Sequence, residues 1–345
     1  MRAAGSFLAS FLSALLGLFH RTRRPQPAPP DSPVSPAPGL DLARAVLQPR
    51  VLLIVYNPVV DVAQGTRLVE KMGWHDPDRL VNEYIQDIDE CSGGLVAYDV
   101  VERVEVDEFP IKLDHFQYRA HDYVNNYRLG RGWHSPDAVD YGAIIAKFNI
   151  LSRVAARELD EVWLFGGPYF GLYESTMGGA GAFFCNAPPL PGTAGCPRRF
   201  VIMGFSYERG VGEMEEDLGH RAESILREVF RFKRGEANLF ERYSLYNRIA
   251  PGRANVGLMH FAPNSVRDYD WGNPTPVLSC CDDWDLYPNL PNPPNYRMVN
   301  SREWGSGDIR LHHKWWLRHL PHADGATDGV SNNWWSYVID PNLVR

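Results

Sequence analysis

The chain has 345 residues, a formal net charge of −7, 44% hydrophobic residues and 22% charged residues. This length and composition are typical of a globular protein with one large or two modest domains, and they argue against an intrinsically disordered chain. Because phosphate binding needs clustered lysine and arginine, a mildly acidic chain without a basic stripe also argues against a nucleic-acid partner.

The chain begins with an apolar segment and a proline-rich segment. The apolar run at residues 7–19 is too short for a transmembrane helix and has the length of the hydrophobic region of a signal peptide. We therefore expect a signal peptide or a short membrane anchor at residues 1–23 and a proline-rich linker at residues 24–44. This predicts a protein that is secreted or anchored on the extracytoplasmic side, with membrane contact only through its N-terminal segment.

Residues 45–262 alternate between strand-like and helix-like segments. The predicted strands cover residues 50–60, 94–110, 160–170, 198–208 and 254–264, and the predicted helices cover residues 78–94, 141–160 and 211–229. Nearly continuous apolar strands separated by helices indicate a mostly parallel sheet with helices on both faces. The sequence therefore predicts a doubly wound α/β core domain over residues 45–262.

After residue 262 the regular periodicity weakens and tryptophan becomes frequent. The tryptophans of this region are Trp271, Trp284, Trp304, Trp315, Trp316, Trp334 and Trp335. We expect residues 263–345 to be a loop-rich region packed on the core, with one short helix at residues 309–320. The histidines of residues 312–322 are interpreted as part of a packed surface helix, and the acidic residues 282–285 as part of a turn.

The five cysteines fit an exported protein. Cys185 and Cys196 flank a loop rich in proline and glycine, which a disulfide between them would close. The odd number leaves at least one thiol unpaired, and without a C-x-x-C pair a structural zinc ribbon is disfavoured.

Open α/β sheets bind ligands at the carboxyl ends of their strands, and polar residues follow each predicted strand there. The predicted substrate-binding residues are Tyr169, Tyr173, Glu208, Arg209 and Asn264. Neither a phosphate-binding glycine motif nor a G-x-S-x-G elbow occurs in the sequence, which disfavours nucleotide binding and a serine-hydrolase mechanism.

The helix predicted at residues 211–229 carries a dense acidic face opposite its apolar stripe. The polar face contains Glu213, Glu216, Asp217, His220, Glu223 and Ser224. In one interpretation this face is solvated, and the acids of the first turn interact favourably with the helix dipole. In the other it lines a cleft covered by the C-terminal region, where a cation would relieve the repulsion among the acids.

Glu216 and His220 are i and i+4 on this face, a spacing at which a carboxylate and an imidazole can share one divalent ion. His260, at the end of the next predicted strand, completes a set of three ligands with an open position for water. We therefore predict Glu216, His220 and His260 as ligands of a divalent metal, with zinc as the first candidate. The predicted catalytic residues are Glu213, Asp217 and Glu174.

Residues 216–220, EDLGH, resemble the H-E-x-x-H helix of the zincin metallopeptidases. In that family the first and last histidines bind zinc and the glutamate between them is the base. The resemblance implies His220 as a ligand and Asp217 in the position of the base, with Glu216 in place of the first histidine. Residues 220–223, HRAE, are similar to the H-x-x-E pair of zinc carboxypeptidases.

The sequence leaves three functions open. The first is an exported metal-dependent hydrolase, peptidase- or amidase-like, acting on an extracellular peptide. The second is a glycan-active hydrolase that uses a pair of glutamates from Glu174, Glu208 and Glu213, with the tryptophans of the C-terminal region as walls for sugar rings. The third is a non-catalytic protein that binds carbohydrates or surfaces through that aromatic region.

Overall fold

The structure is a computed structural model that describes residues 46–345. The predicted signal peptide or anchor and the proline-rich linker lie outside the described residues. In residues 46–345, no helix is both long enough and apolar enough to cross a membrane.

A buried, mostly parallel sheet forms the centre of the fold. The strands are β1 (Arg50–Tyr56), β2 (Val59–Asp61), β3 (Thr66–Arg67), β4 (Asp99–Val106), β5 (Glu161–Gly166), β6 (Ser175–Gly178), β7 (Phe200–Ser206), β8 (Val277–Ser279), β9 (Arg297–Val299), β10 (His322–Thr327) and β11 (Val330–Asn333). Five of them form a sheet in the order β4–β1–β5–β7–β6, in which only β6 runs antiparallel to its neighbour. β1, β5 and β7 are apolar along nearly their whole length because both faces of the sheet are covered.

Helices connect these strands. They are α1 (Leu68–Met72), α2 (Pro77–Cys91), α3 (Ala120–Leu129), α4 (Tyr141–Lys147), α5 (Ile150–Ala155), α6 (Val211–Val229), α7 (Leu239–Tyr243), α8 (Ile309–Arg318) and α9 (Trp334–Ile339). The chain passes from β1 to β4 on one side and from β5 to β7 on the other, which is the doubly wound order. The predicted α/β class is therefore confirmed. The single helix predicted at residues 141–160 is wrong, because Asn149 adopts a left-handed φ of 53° and separates α4 from α5.

The strand predicted at residues 254–264 is also wrong. The chain there makes a tight turn in which the N–H of Leu258 and the N–H of Phe261 each donate to the carbonyl of the other residue at 2.9 Å. Gly257 precedes the turn with a φ of 91°, and a Cβ at this position would lie 2.1 Å from the Phe261 carbonyl oxygen. Met259 is nevertheless fully buried, so the apolar pattern reflects burial in a loop and not strand pairing.

The C-terminal region contributes to the core. The described residues belong to one compact unit. The buried tryptophans of this region are Trp271, Trp284, Trp304, Trp316, Trp334 and Trp335. Arg221 of α6 connects α9 to the sheet, because its guanidinium donates to the carbonyls of Val338 and Ile339 at 3.0 and 3.2 Å and contacts Glu161 of β5 at 2.6 Å.

α8 confirms the short helix predicted at residues 309–320, but it is not a surface helix. His312 and His313 are fully buried. On the other side of the helix, Arg310 and Lys314 donate to the carboxylate of Asp87 in α2 at 2.6 and 2.5 Å. α8 therefore packs between other elements, and only part of it reaches solvent.

The disulfide considered between Cys185 and Cys196 is not formed. All five cysteines lie among the described residues, and each is a free, buried thiol. The Cys185 thiol lies 3.8 Å from Ser175 Oγ, whereas the Cys196 thiol lies 3.3 Å from the Arg198 carbonyl oxygen. The two sulfur atoms thus face different neighbours.

Candidate metal centre

The acidic face of α6 is buried. The exposed fractions of Glu216, Asp217 and Glu223 are 7%, 8% and 7%. The loop that follows α7 covers this face: Met259 contacts the position of Gly219, and the Met259 N–H donates to Glu223 Oε1 at 2.8 Å. The solvated-face interpretation is therefore wrong for these residues, and the face lies under a loop that precedes the C-terminal region.

Three side chains converge at this point. Glu216 and His220 lie one helical turn apart on α6, and His260 comes from the tight turn after Gly257. His260 Nε2 lies 2.8 Å from Glu216 Oε1 and 2.9 Å from His220 Nε2. His220 Nε2 lies 3.7 Å from the same glutamate oxygen. The structure thus brings together the three residues that the sequence predicted as ligands, and they form a group able to hold a metal ion.

Hydrogen bonds alone satisfy this arrangement poorly. A hydrogen on His260 Nε2 can point towards Glu216 or towards His220, but not towards both. If His220 donates instead, the lone pair of His260 Nε2 faces a carboxylate oxygen. A divalent cation would accept electron pairs from all three atoms, and zinc binds imidazole nitrogen and carboxylate oxygen at about 2.0–2.2 Å.

Carboxylates also lie near the outer nitrogens of both histidines. His220 Nδ1 is 3.6 Å from Glu223 Oε2, and His260 Nδ1 is 3.8 Å from Asp268 Oδ1. Histidines that bind metals usually direct their second nitrogen towards a carboxylate, a carbonyl or water, which orients the ring. The ring of Tyr269 packs on His260 with centroids 4.3 Å apart and restricts that ring further.

The charged groups perturb one another strongly. Burial alone would lower the pKa of His220, but the carboxylates of Glu216 and Glu223, which lie 3.7 and 3.6 Å from its ring nitrogens, raise it well above its usual value. Burial opposes the ionisation of Glu223, yet the His220 imidazole, with Nδ1 at 3.6 Å from Glu223 Oε2, lowers its pKa to about 2. Burial and the nearby Glu174 and Glu216 charges raise the pKa of Asp217 well above its usual value. The lowered pKa values of Glu216 and Glu223 keep both carboxylates ionised in this buried site, where either a protonated His220 or a bound cation would balance their charge.

The three predicted catalytic residues have different positions. Glu213 accepts a hydrogen bond from the Gly210 N–H at 3.1 Å and closes the first turn of α6, which is a capping role. Asp217 is buried on α6 directly after Glu216. Glu174 precedes β6, is partly exposed, and contributes its charge to the shifted pKa values of Asp217 and His220. Asp217 and Glu174 therefore remain the candidates for a base.

The five predicted substrate-binding residues have different surroundings, although Trp133 and Tyr127 link Tyr169 to Glu208. Tyr169 stacks on Trp133, and Tyr173 stacks on Tyr141. Glu208 accepts a hydrogen bond from the Tyr127 hydroxyl. Asn264 is buried and donates to two loop carbonyls at 2.7 Å, so it holds the loop together. Arg209 is exposed, and its charge acts on the buried Asp217, which locates it near the convergent residues.

Sequence reasoning missed Asp268 and Tyr269. Tyr269 has a φ of 57°, a left-handed conformation that is uncommon outside glycine and is often found at functional sites. Its N–H donates to the His260 carbonyl at 3.2 Å, so the backbone of Tyr269 lies beside that of His260. The nearby sequence DYDW contains acidic and aromatic residues, but no periodic pattern would have associated it with His260.

Gly219 leaves the space that Met259 occupies. A Cβ at Gly219 would lie 2.3 Å from both Cγ and Sδ of Met259, which is fully buried. We expect Gly219→Ala to lower the free energy of unfolding by about 1–3 kcal/mol and to loosen the contact of His260 with α6, although alanine is the better helix former. Urea unfolding measures the change. Gly195→Ala is the control, because Gly195 is exposed and nothing lies within 4 Å of its Cβ position. Equal stability of both variants and the wild type would contradict this account.

A second group of ligand-capable atoms lies farther along the chain. Atoms of Cys281, Asp282 and His319 lie within 4.8 Å of one another. The Arg297 guanidinium, however, already pairs with both oxygens of Asp282, one of them at 2.8 Å. A cation bound there would be repelled by the arginine, so the ion pair accounts for this carboxylate better than a metal does.

Comparison of the chain with protein-family models, with curated proteins and with solved structures finds no match. The resemblance of residues 216–220 to the zincin helix therefore rests on its local pattern. Function has to be argued from the geometry of the site itself.

Proposed function

We propose that this protein is an exported metal-dependent hydrolase of the peptidase or amidase kind, with Glu216, His220 and His260 as ligands of a divalent ion such as zinc. The observation that carries the proposal is the convergence of their three donor atoms within 3.7 Å. Two histidines and one glutamate are a ligand set of catalytic zinc in peptidases, and three protein ligands leave a position open for water or substrate.

The chemistry follows from that open position. A divalent ion held by Glu216, His220 and His260 would lower the pKa of its water towards about 7 and polarise a substrate carbonyl. Glu174 is the better candidate for the base, because it is partly exposed and accepts one side-chain hydrogen bond, from Asn186, whereas Asp217 is almost wholly buried. Arg209 and Tyr269 are exposed beside the same residues and are the candidate contacts for a polar substrate.

The two alternative functions have less support. The tryptophans considered as sugar-binding walls are mostly buried in the core, so their faces are not available to a glycan. All three glutamates considered for a catalytic pair already accept a hydrogen bond, Glu208 from Tyr127, Glu213 from the Gly210 N–H and Glu174 from Asn186. Export rests on the composition of residues 1–44.

The direct test is the metal content of the full chain, purified without chelators. We expect one divalent ion per protein by elemental analysis, and hydrolysis of members of a fluorogenic peptide and amide library. A chelator should abolish turnover, and added Zn²⁺ should restore it. Protein that binds no divalent ion at micromolar free zinc would refute the proposal. Stoichiometric iron would direct it towards oxygen chemistry, because two histidines and a carboxylate also bind iron.

A further inference from the structure

His313 of α8 is a buried histidine that the proposed function does not use. Its Nδ1 lies 2.8 Å from the carbonyl oxygen of Gly212 in α6. Because a carbonyl oxygen accepts hydrogen bonds, Nδ1 carries the hydrogen and Nε2 has the lone pair. Within the described residues, this Nε2 has no hydrogen-bond partner. An unpaired acceptor in the interior of a protein calls for an explanation, and a bound water or ion is a frequent one.

Packing between α8 and α6 locates the imidazole. Gly212 lies one turn before Glu216 and two turns before His220, so the three share one face of α6. A Cβ at Gly212 would lie 2.7 Å from Ile309 Cγ2, so the two helices are in close contact here. His313 is one turn after Ile309 on α8, and it therefore lies beside the turn of α6 that carries Glu216.

The same imidazole contacts the loop that carries His260. Trp271 packs edge-on against His313 with centroids 4.9 Å apart, and its Nε1 donates to the Met259 carbonyl at 3.0 Å. Tyr269 contacts both Trp271 and His260, at centroid distances of 5.2 and 4.3 Å. His313 is thus in contact with α6 and with a tryptophan held by the His260 loop, the two elements that supply the three ligands.

We propose that His313 is a positioning residue of the metal centre, and that its Nε2 accepts a hydrogen bond from water at the open coordination position. This inference rests on the proposed function. The Gly212 carbonyl holds the hydrogen on Nδ1, so the fold itself selects the tautomer that presents an acceptor. The charges of Glu216 and His260 act on His312 as well as on His313, so the hydrogen bond to Gly212 is what distinguishes His313 from its neighbour.

Two substitutions separate the roles of the two ring nitrogens. In His313→Asn, the amide nitrogen can replace Nδ1 as the donor to Gly212, but no acceptor replaces Nε2. In His313→Gln, the longer side chain brings an amide oxygen to the position of Nε2, and the donor to Gly212 is lost. We expect His313→Asn to weaken Zn²⁺ affinity about 10- to 100-fold in competition with a chromophoric chelator, and His313→Gln to stay close to the wild type.

His312→Asn is the matched control. His312 is equally buried, packs on Trp271 at a centroid distance of 5.0 Å, and has both ring nitrogens without a partner among the described residues, but no carbonyl fixes its tautomer as Gly212 fixes that of His313. Its zinc affinity should equal that of the wild type. A loss as large as that of His313→Asn would trace the effect to general disturbance of the core and overturn the inference.

Other results for the His313 variants and for the wild type also test the proposed role of His313. Unchanged affinity in His313→Asn, or a loss confined to His313→Gln, would limit His313 to helix packing and leave the three-ligand site intact. A wild-type protein that binds no zinc would instead refute the proposed function, and the inference with it. Nitrogen NMR of the wild-type histidines needs no variant: zinc should shift the His313 Nε2 resonance towards a hydrogen-bonded value, and an unchanged resonance on zinc binding would overturn the inference.

Discussion

We expect His220→Ala to abolish binding of the proposed metal ion and, with it, the proposed hydrolytic activity. The substitution deletes one of the three proposed ligands and leaves Glu216 and His260 to hold a cation between them. Loss of an outer partner of a metal ligand costs about 10- to 100-fold in affinity, so we expect loss of a ligand to cost more. Elemental analysis and chelator competition measure the effect, and His260→Ala should behave in the same way.

The matched control is His121→Ala. His121 lies on α3, and 84% of its side chain is exposed, so its replacement should leave metal content and folding unchanged. Each variant is also unfolded in urea without metal, to separate loss of a ligand from loss of structure. A folded His220→Ala protein that retains one ion per chain would contradict the assignment of His220.

Of the substitutions considered, Arg221→Met should cause the largest loss in the free energy of unfolding. Arg221 and Glu161 are buried partners 2.6 Å apart, and the arginine also donates to two carbonyls of α9. Its removal leaves a buried carboxylate without a counter-ion, and breaking a buried pair in this way costs about 3–5 kcal/mol. The free energy of unfolding from urea titration measures this loss.

A second substitution tests the reason for that loss. Glu161 also accepts a hydrogen bond from Trp163 Nε1 at 2.8 Å, and glutamine can keep that acceptor without the charge. Adding Glu161→Gln to Arg221→Met should therefore recover part of the stability. The surface control is Arg231→Ala, which removes a partly exposed ion pair with Glu228 and should cost less than about 1 kcal/mol. If the double variant were less stable than Arg221→Met, an unpaired charge would not be the cause.

The local sequence was sufficient to predict the buried strands and the shared helix face, because both depend on residues close together along the chain. The continuous apolar runs of β1, β5 and β7 predicted a buried parallel sheet, since strands covered on both faces have little room for polar residues. The spacing of Glu216 and His220 predicted a shared face, because helical geometry alone determines which residues lie one turn apart. In contrast, short elements such as β6 and α9 have too few residues to show a period.

Only the tertiary structure shows which segments cover the polar face of α6, because the hydrophobic period of a helix carries no information about distant segments. An apolar stripe shows which side of α6 packs against the sheet, but it cannot show whether another segment covers the polar side. That depends on contacts across some forty residues, between Gly219 and Met259 and between Glu216 and His260. His260 reaches the site from a tight turn and not from a strand end, because the left-handed Gly257 reverses the chain there. The sequence therefore determined the candidate ligands, and only the packing of a loop on α6 determined that they meet.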